Sequence, residues 1–460
     1  MTIGILPLAR PTFDVSFAEE KLAAMMARLD ATDRSFAGPR ELLFDADQTR
    51  AALAALQQAD ISSLLILQVT FTDASMAVEA VSTLDVPLAI WAIPEPRSGG
   101  RLRLNAFCGL NLASHALGLN GRQFSWLYGA PDKVLSDDVT ALLNGARPSG
   151  HLVGIESQAP DGLGRAVAEA LRGYRIGRIG DHPAGFDTCA YSSRKLADTA
   201  GVAVDEIDLG RLFDTARGIS ADRVTGLRAE AEEQLDGLDS VDQDQLDCSL
   251  RLKLALSDIR ENGSYDAFAI RCWPETFTEY GGAVCGPISM MGEARIPCAC
   301  EADVYGALTQ LILQAAARAP VFLTDLVDID IDDDSAVVWH CGQAPISMCK
   351  EGARVGATVH SNRKMPLLYQ FALKPGRVTL ARVSQSYGMT QMILAGAEML
   401  DRPMAFAGTS GTLRFDSGSR AALDAIIASG LEHHMALAYG DHRETLKSVA
   451  TAMNLPVLEF

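Results

Sequence analysis

Carboxylate side chains follow the ends of two predicted strands between residues 265 and 303. Glu275 comes after the apolar run Tyr265–Cys272, and Glu301 and Asp303 come after the short run Ile296–Cys300. Because the carboxyl ends of neighbouring parallel strands meet at one edge of a sheet, these carboxylates could share one divalent metal ion. Helix capping explains the same residues, since Asp303 directly precedes a predicted helix and Glu301 would favour its N-terminus. The spacing alone leaves both interpretations open and favours capping.

Histidines are concentrated late in the chain, where five of the eight lie after residue 339. Two of them, His433 and His434, are adjacent and precede a predicted strand. A neutral imidazole is a common ligand of divalent metals. Adjacent residues of a strand point to opposite faces, so at most one of the two faces a common site. The alternative is that one ring is packed in the core and the other is solvated.

Several other patterns favour structural roles. The acidic run Asp325–Asp334 alternates with Val and Ile and lacks the ligand order of an EF-hand, which predicts a half-exposed strand and a turn. His340 and Cys341 end a strand, but no Cys-x-x-Cys pair accompanies them, which argues against structural zinc. Residues Gly408–Thr412 lack the Lys of a phosphate-binding loop.

Composition excludes some classes of partner. The chain has 460 residues, 40 Lys and Arg, 58 Asp and Glu, and a net charge of −18. This charge argues against nucleic acid and against acidic membrane surfaces as partners. No apolar run reaches the roughly 18 residues that a membrane span needs, and the N-terminus lacks a signal-peptide pattern. Nine cysteines without compact pairing favour a reduced, cytoplasmic setting.

The elements that must position these residues predict an α/β protein with three domains. Residues 1–150 and 151–320 alternate strand and helix patterns, which is typical of parallel sheets covered by helices on both faces. Residues 321–460 instead contain short strands joined by turns, which indicates a β-rich third domain. The carboxylates would therefore come from the second domain and the histidine from the third.

Four segments, taken in order, resemble the L-fucose isomerase family, and in particular its shorter fucose/arabinose isomerase-like branch. They are Arg271–Glu275, Cys300–Asp303, Trp339–Gly342 and the stretch from His434 through Gly440. The resemblance covers roughly residues 265–460 by motif. It implies two Rossmann-like or flavodoxin-like α/β domains followed by an antiparallel, barrel-like C-terminal domain.

The resemblance also implies a metal site and a reaction. It matches Glu275, Asp303 and His434 to the ligands of Mn²⁺ or another divalent metal such as Mg²⁺ or Co²⁺, with Glu279 as a competing choice for the Glu. Glu275 and Asp303 would also be the acid and base of an aldose–ketose isomerisation through an enediol(ate). Substrate contacts are expected from Arg271, Trp273, Glu301, His340 and His360.

The same resemblance implies a homo-oligomer, a trimer or hexamer, in which a neighbouring subunit completes the site. The sugar would be of the L-fucose or L-arabinose type, or a related deoxy or sulfonated sugar. Two alternatives stay open at this point: a non-catalytic sugar-binding or regulatory protein of the same fold, and a lyase or epimerase that uses the same metal site.

Overall fold

The first sheet is parallel and has the flavodoxin-like strand order 2-1-3-4-5. The computed structural model describes residues 2–157 and 162–460. Apolar runs form this sheet because helices cover both of its faces. Its strands are β1 (Thr2–Leu8), β2 (Ser35–Ala37), β3 (Ser63–Gln68), β4 (Leu88–Ala92) and β5 (Ser125–Tyr128), and its helices are α1 (Val15–Asp30), α2 (Ala46–Gln57), α3 (Ser75–Thr83), α4 (Ala106–Leu119) and α5 (Ser136–Leu143).

The second sheet is parallel and four-stranded, in the order β10-β9-β6-β7. Its strands are β6 (Arg175–Ile179), β7 (Ala203–Ile207), β9 (Ala267–Ile270) and β10 (Cys298–Ala299), while β8 (Leu235–Asp236) pairs elsewhere. The helices are α6 (Gly162–Ala170), α7 (Ser193–Ala200), α8 (Leu209–Arg217), α9 (Ala221–Gln234), α10 (Gln243–Gly263), α11 (Cys285–Glu293) and α12 (Val304–Ala317). As expected, β9 and β10 are neighbours, so their carboxyl ends open toward one place.

The third sheet has ten strands and contains a closed ring of six antiparallel strands. The ring runs β16-β15-β18-β11-β12-β17 and is closed by the pairing of β17 with β16. The strands are β11 (Phe322–Asp330), β12 (Ser335–His340), β13 (Val355–Thr358), β14 (Leu368–Ala372), β15 (Gly376–Ser384), β16 (Gln391–Met399), β17 (Thr409–Phe415), β18 (His434–Tyr439) and β19 (Val457–Glu459), with helices α13 (Ser419–Ser429) and α14 (Arg443–Ala452).

The prediction of a half-exposed strand at the start of the acidic run is wrong. β11 lies between β18 and β12, and Asp325 and Asp328 are only 8% and 2% exposed. Asp328 is buried because Arg97 and the hydroxyl of Tyr128 donate to its two oxygens, at 2.6 Å each. Asp325 has no such partners among the described residues, and it lines a cavity.

Strand register in the ring determines which side chains meet at that cavity. Asp325 is the antiparallel partner of His434 on β18 and of Trp339 on β12. This end of the ring faces the carboxyl ends of β9 and β10. Among the described residues, none of the helices is long and apolar enough to cross a membrane.

Candidate active site

A cavity of about 120 Å³ lies between the two α/β sheets and the strand ring. All three parts of the chain contribute to its wall. Arg10 and Phe71 come from the first, Trp273 and Glu301 from the second, and Asp325, His340, His360 and His433 from the third. Acidic and imidazole side chains therefore converge from different elements on one partly open cavity.

Glu301 follows β10 in a left-handed backbone conformation, with φ 59° and ψ 24°. This conformation costs a residue with a Cβ of order 1–3 kcal/mol, so surrounding contacts must hold it. The indole Nε1 of Trp273 donates to Oε1 at 3.0 Å, and Nε2 of His433 lies 2.9 Å from Oε2. Burial acts to raise the pKa of Glu301, but the contacts with His433 and Trp273 outweigh it and lower the pKa to about 2.

Asp325 is the least satisfied carboxylate of the cavity. Its Oδ1 is buried and has no hydrogen-bond partner among the described residues. It lies 3.4 Å from Nε2 of His434. Burial is the main cause that raises the pKa of Asp325 to about 6.

His434 is oriented by a buried carboxylate. Its Nδ1 lies 2.9 Å from Oδ2 of Asp303, so the ring proton is on Nδ1 and the lone pair is on Nε2, on the side of Glu301 and Asp325. There Nε2 is 3.8 Å from Oε2 of Glu301 as well as 3.4 Å from Asp325. Burial and the neighbouring His433 lower the pKa of His434, which favours the neutral form that binds metal.

Asp303 itself is fully engaged away from the cavity. Its Oδ1 caps α12 by accepting from the Gly306 amide at 2.8 Å. Arg382, which is completely buried, donates to both carboxylate oxygens, at 2.5 and 3.1 Å. Because both carboxylate oxygens already have partners, the contribution of Asp303 to the site is to orient the ring of His434.

Two more imidazoles present unpartnered nitrogens. The Cys341 amide donates to Nδ1 of His340 at 2.9 Å, so the ring proton of neutral His340 is on Nε2. His340 Nε2 and His433 Nδ1 are buried and lack partners among the described residues, like Asp325 Oδ1. Because each such buried atom costs roughly 1–3 kcal/mol if it stays unpaired, three of them on residues of one cavity mark a polar site that water or a ligand would satisfy.

The donor set fits a divalent metal. His434 belongs to two groups whose ligand atoms lie within 4.8 Å of one another: one with Asp325 and His340, the other with Cys189, Glu301 and His433. Carboxylate oxygens with a neutral imidazole suit Mn²⁺, Mg²⁺ or Co²⁺. Carboxylate and imidazole side chains of the type expected from the sequence are thus present together.

The structure does not bring Glu275 together with His434. Both oxygens of Glu275 accept from Arg271, at 2.6 and 2.7 Å, and Glu275 joins no candidate metal group in the described chain. The remaining Arg271 nitrogen donates to the carbonyl of Asp181 at 3.0 Å, so the guanidinium braces a loop. Glu279 is exposed to solvent. Of the other expected substrate contacts, Trp273, Glu301, His340 and His360 line the cavity.

Sequence reasoning missed Asp325 and Arg382. A signal for Asp325 was present, because it is a single acid inside the apolar run Val321–Val327. A charged residue within an apolar strand is seldom buried without a partner or a metal. Arg382 sits in β15 with an equally apolar context, and only the fold shows that it faces Asp303.

Comparison with known proteins points in the same direction. A model of the N-terminal domain of fucose/sulfoquinovose isomerases matches residues 4–147. The sulfoquinovose isomerase of Priestia megaterium is 30% identical over 457 residues, which are 99% of this chain and 98% of that protein. The chain belongs to the fucose/sulfoquinovose isomerase family. The sulfoquinovose isomerase of Alkalicoccus urumqiensis is also 30% identical, over 100% of this chain and 99% of its own length. The family resemblance predicted from the motifs is confirmed, and the protein is an isomerase.

Proposed function

We propose that this isomerase interconverts an aldose and its ketose at a divalent metal held by Glu301, Asp325 and His434. The observation that carries the proposal is the position of His434 Nε2, which lies 3.4 Å from Asp325 and 3.8 Å from Glu301 and so joins the two candidate metal groups. The proposed set keeps His434 from the sequence prediction. It replaces Glu275, which is bound to Arg271, and Asp303, which is bound to Arg382.

The metal, when bound, supplies positive charge that polarises the sugar carbonyl and acidifies the neighbouring C–H group. Asp303 holds the His434 ring with Nε2 toward the cavity, as carboxylates commonly do behind metal-binding histidines. Trp273 and His433 fix the carboxylate of Glu301 from two sides. These contacts preorganise the site before substrate arrives.

Aldose–ketose isomerisation moves one proton between C1 and C2 of the sugar and another between the two oxygens. Asp325 is suited to the carbon-bound proton, because its buried carboxylate has an oxygen without a hydrogen-bond partner among the described residues. Glu301, which stays ionised, accepts a hydrogen bond from the sugar hydroxyl and orients it while the hydroxyl proton passes to the neighbouring sugar oxygen. His340 donates from Nε2 to the oxygen on which charge develops in the enediol(ate).

The relatives' names support a sulfonated aldose as the substrate, namely sulfoquinovose or a close analogue. L-fucose and L-arabinose are the other sugars to test, because the family model includes fucose isomerases. A homo-oligomer with a site completed by a neighbouring subunit, and a cytoplasmic location, stay predictions.

The test is solvent exchange at the sugar carbons in deuterated buffer, followed by NMR with Mn²⁺ and with chelator. The wild type is expected to form ketose and to incorporate deuterium at C1 or C2 only with metal. E301Q and D325N should lose both metal binding and exchange, whereas E279Q, altered at an exposed carboxylate, serves as the matched control.

E275Q distinguishes the two ligand sets. If E275Q still binds the metal, the proposal is supported. If E275Q loses metal binding while D325N keeps it in full, the proposal is contradicted. A product that is cleaved, or inverted at one carbon without ketose, would instead identify a lyase or an epimerase.

A further inference from the structure

We propose that Arg363, with Arg10 beside it, forms the subsite that binds the sulfonate of the substrate and so determines the preference for a sulfonated over a neutral sugar. This inference rests on the proposed function, because it assumes that the reacting end of the sugar lies at Glu301 and Asp325. It assigns a specificity-determining role to a side chain outside the reacting centre.

Arg363 is a half-buried cation without a counter-charge. It lies in the loop between β13 and β14 and lines the same cavity as Glu301. Its guanidinium carbon is 5.6 Å from the ring centre of Trp273 and 5.9 Å from that of Phe277. No ion pair or side-chain hydrogen bond of Arg363 is present among the described residues. Removing a charge from water without a partner is unfavourable, so an anion at this position would be stabilising.

The neighbouring arginines differ in this respect. Arg10 also lines the cavity, with its guanidinium carbon 5.9 Å from the Trp273 ring centre, but it is paired with Asp73. Arg271 is paired with Glu275. Among the described arginines at this rim, Arg363 is therefore the one without a paired acid, which matches a singly charged sulfonate better than a doubly charged phosphate ester. The Ser361 hydroxyl lines the same rim and can donate to a further sulfonate oxygen.

Charge is distributed along the cavity in the order that such a sugar requires. The acids Glu301 and Asp325 and the guanidinium groups of Arg10 and Arg363 all line it, with Glu301 at the Nε1 of Trp273 and the guanidinium groups near the indole ring. Trp273 connects the two sets, because its Nε1 donates to Glu301 while both guanidinium groups lie near its ring. A sugar whose C1 and C2 are at the acids would extend along the indole and direct its far end at Arg363.

The experiment compares kcat/KM of the Mn²⁺-loaded full-length enzyme for sulfoquinovose and for quinovose, its counterpart without the sulfonate. In R363Q the ratio of the two values should fall on the order of 10- to 100-fold, the loss expected for a hydrogen-bonded charge pair. R363K should fall less, because it keeps the charge but loses the two-pronged geometry. R194Q, changed at an arginine that is 92% exposed, is the matched control.

An unchanged ratio in R363Q, with thermal unfolding equal to wild type, would overturn the inference. So would higher kcat/KM for a phosphate ester at the same carbon than for the sulfonate.

Calorimetric binding of a sulfonated alditol, which cannot isomerise, separates this inference from the proposed function. If wild type binds it and R363Q does not, the subsite stands even when no aldose is turned over. If aldoses are isomerised but the alditol binds equally to both proteins, the isomerase stands and the subsite fails.

Discussion

Replacing Asp303 by Asn distinguishes a residue that holds a ligand from one that is a ligand. The carboxylate is 1% exposed and accepts from the Gly306 amide, from two nitrogens of Arg382 and from His434. The amide of Asn has one acceptor oxygen and no charge. D303N therefore leaves the buried Arg382 without its main counter-charge and loosens the ring of His434.

Two magnitudes follow from this geometry. Breaking a buried ion pair from one side costs about 3–5 kcal/mol of folding free energy. The value should lie at the lower end, because Glu432, 3.7 Å from Arg382, still offers a second carboxylate. Loss of a carboxylate behind a metal-binding histidine weakens metal affinity about 10- to 100-fold. D303N should thus unfold at lower denaturant concentration yet still bind Mn²⁺.

The assay combines urea unfolding in chelator with calorimetric titration of Mn²⁺, and D325N is the comparison. Asp325 has an unpartnered buried oxygen, so D325N should lose no stability in chelator but should bind no Mn²⁺. If D303N unfolds like wild type and binds no Mn²⁺, Asp303 is a direct ligand and its assignment as the residue that orients His434 is refuted.

Three further predictions concern other residues. In chelator, folded Asp325 has a pKa of about 6 against its usual 3.8, so the folded state binds the extra proton. The free energy of unfolding should therefore fall as pH rises from about 4 to 6, by up to about 3 kcal/mol. The urea midpoints of D325N should lack this dependence on pH, and equal slopes in both proteins would contradict the prediction. W273F keeps an aromatic ring but loses the bond to Glu301, so initial rates should show kcat reduced about tenfold, with an unchanged kcat as the contrary result. Glu95 accepts the amides of residues 103–105; E95Q sets a donor against a donor and should cost about 1–3 kcal/mol in thermal unfolding, whereas an unaltered melting curve would count against these bonds.

Much of the architecture could be predicted because apolar periodicity reports directly on sheets and helices. The convergence of the segments after β9 and β10 was predicted from strand order, and Trp273 does contact Glu301 there. The metal-binding role predicted for His434 came from family resemblance. The structure adds that it is the first residue of β18, beside Asp325 on β11.

Asp325 could not be placed in the same way. The alternation of Asp with Val and Ile looks the same in the sequence whether the polar face of the strand meets bulk water or lines a cavity. The register shift in β11 between Leu326 and Asp328 further separates the side chain at the cavity from the one that binds Arg97. Only the pairing of β11 with two other strands of the ring reveals that both acids are buried.

Glu275 has a local partner that competes with a metal for its carboxylate. It stands four residues after Arg271, and the turn between them brings the two side chains into a two-pronged ion pair. Opposite charges at this spacing pair readily within one turn. A carboxylate with a nearby arginine is thus less available to a metal than an acid isolated in an apolar strand.

Anomalous diffraction from crystals of the Mn²⁺-loaded enzyme tests the central claim most directly. The metal is predicted to give one peak in the cavity, in contact with side-chain atoms of Glu301, Asp325 and His434, with Asp303 behind the imidazole. A peak bound by the carboxylate of Glu275, or by Asp303 directly, would contradict the proposed metal site.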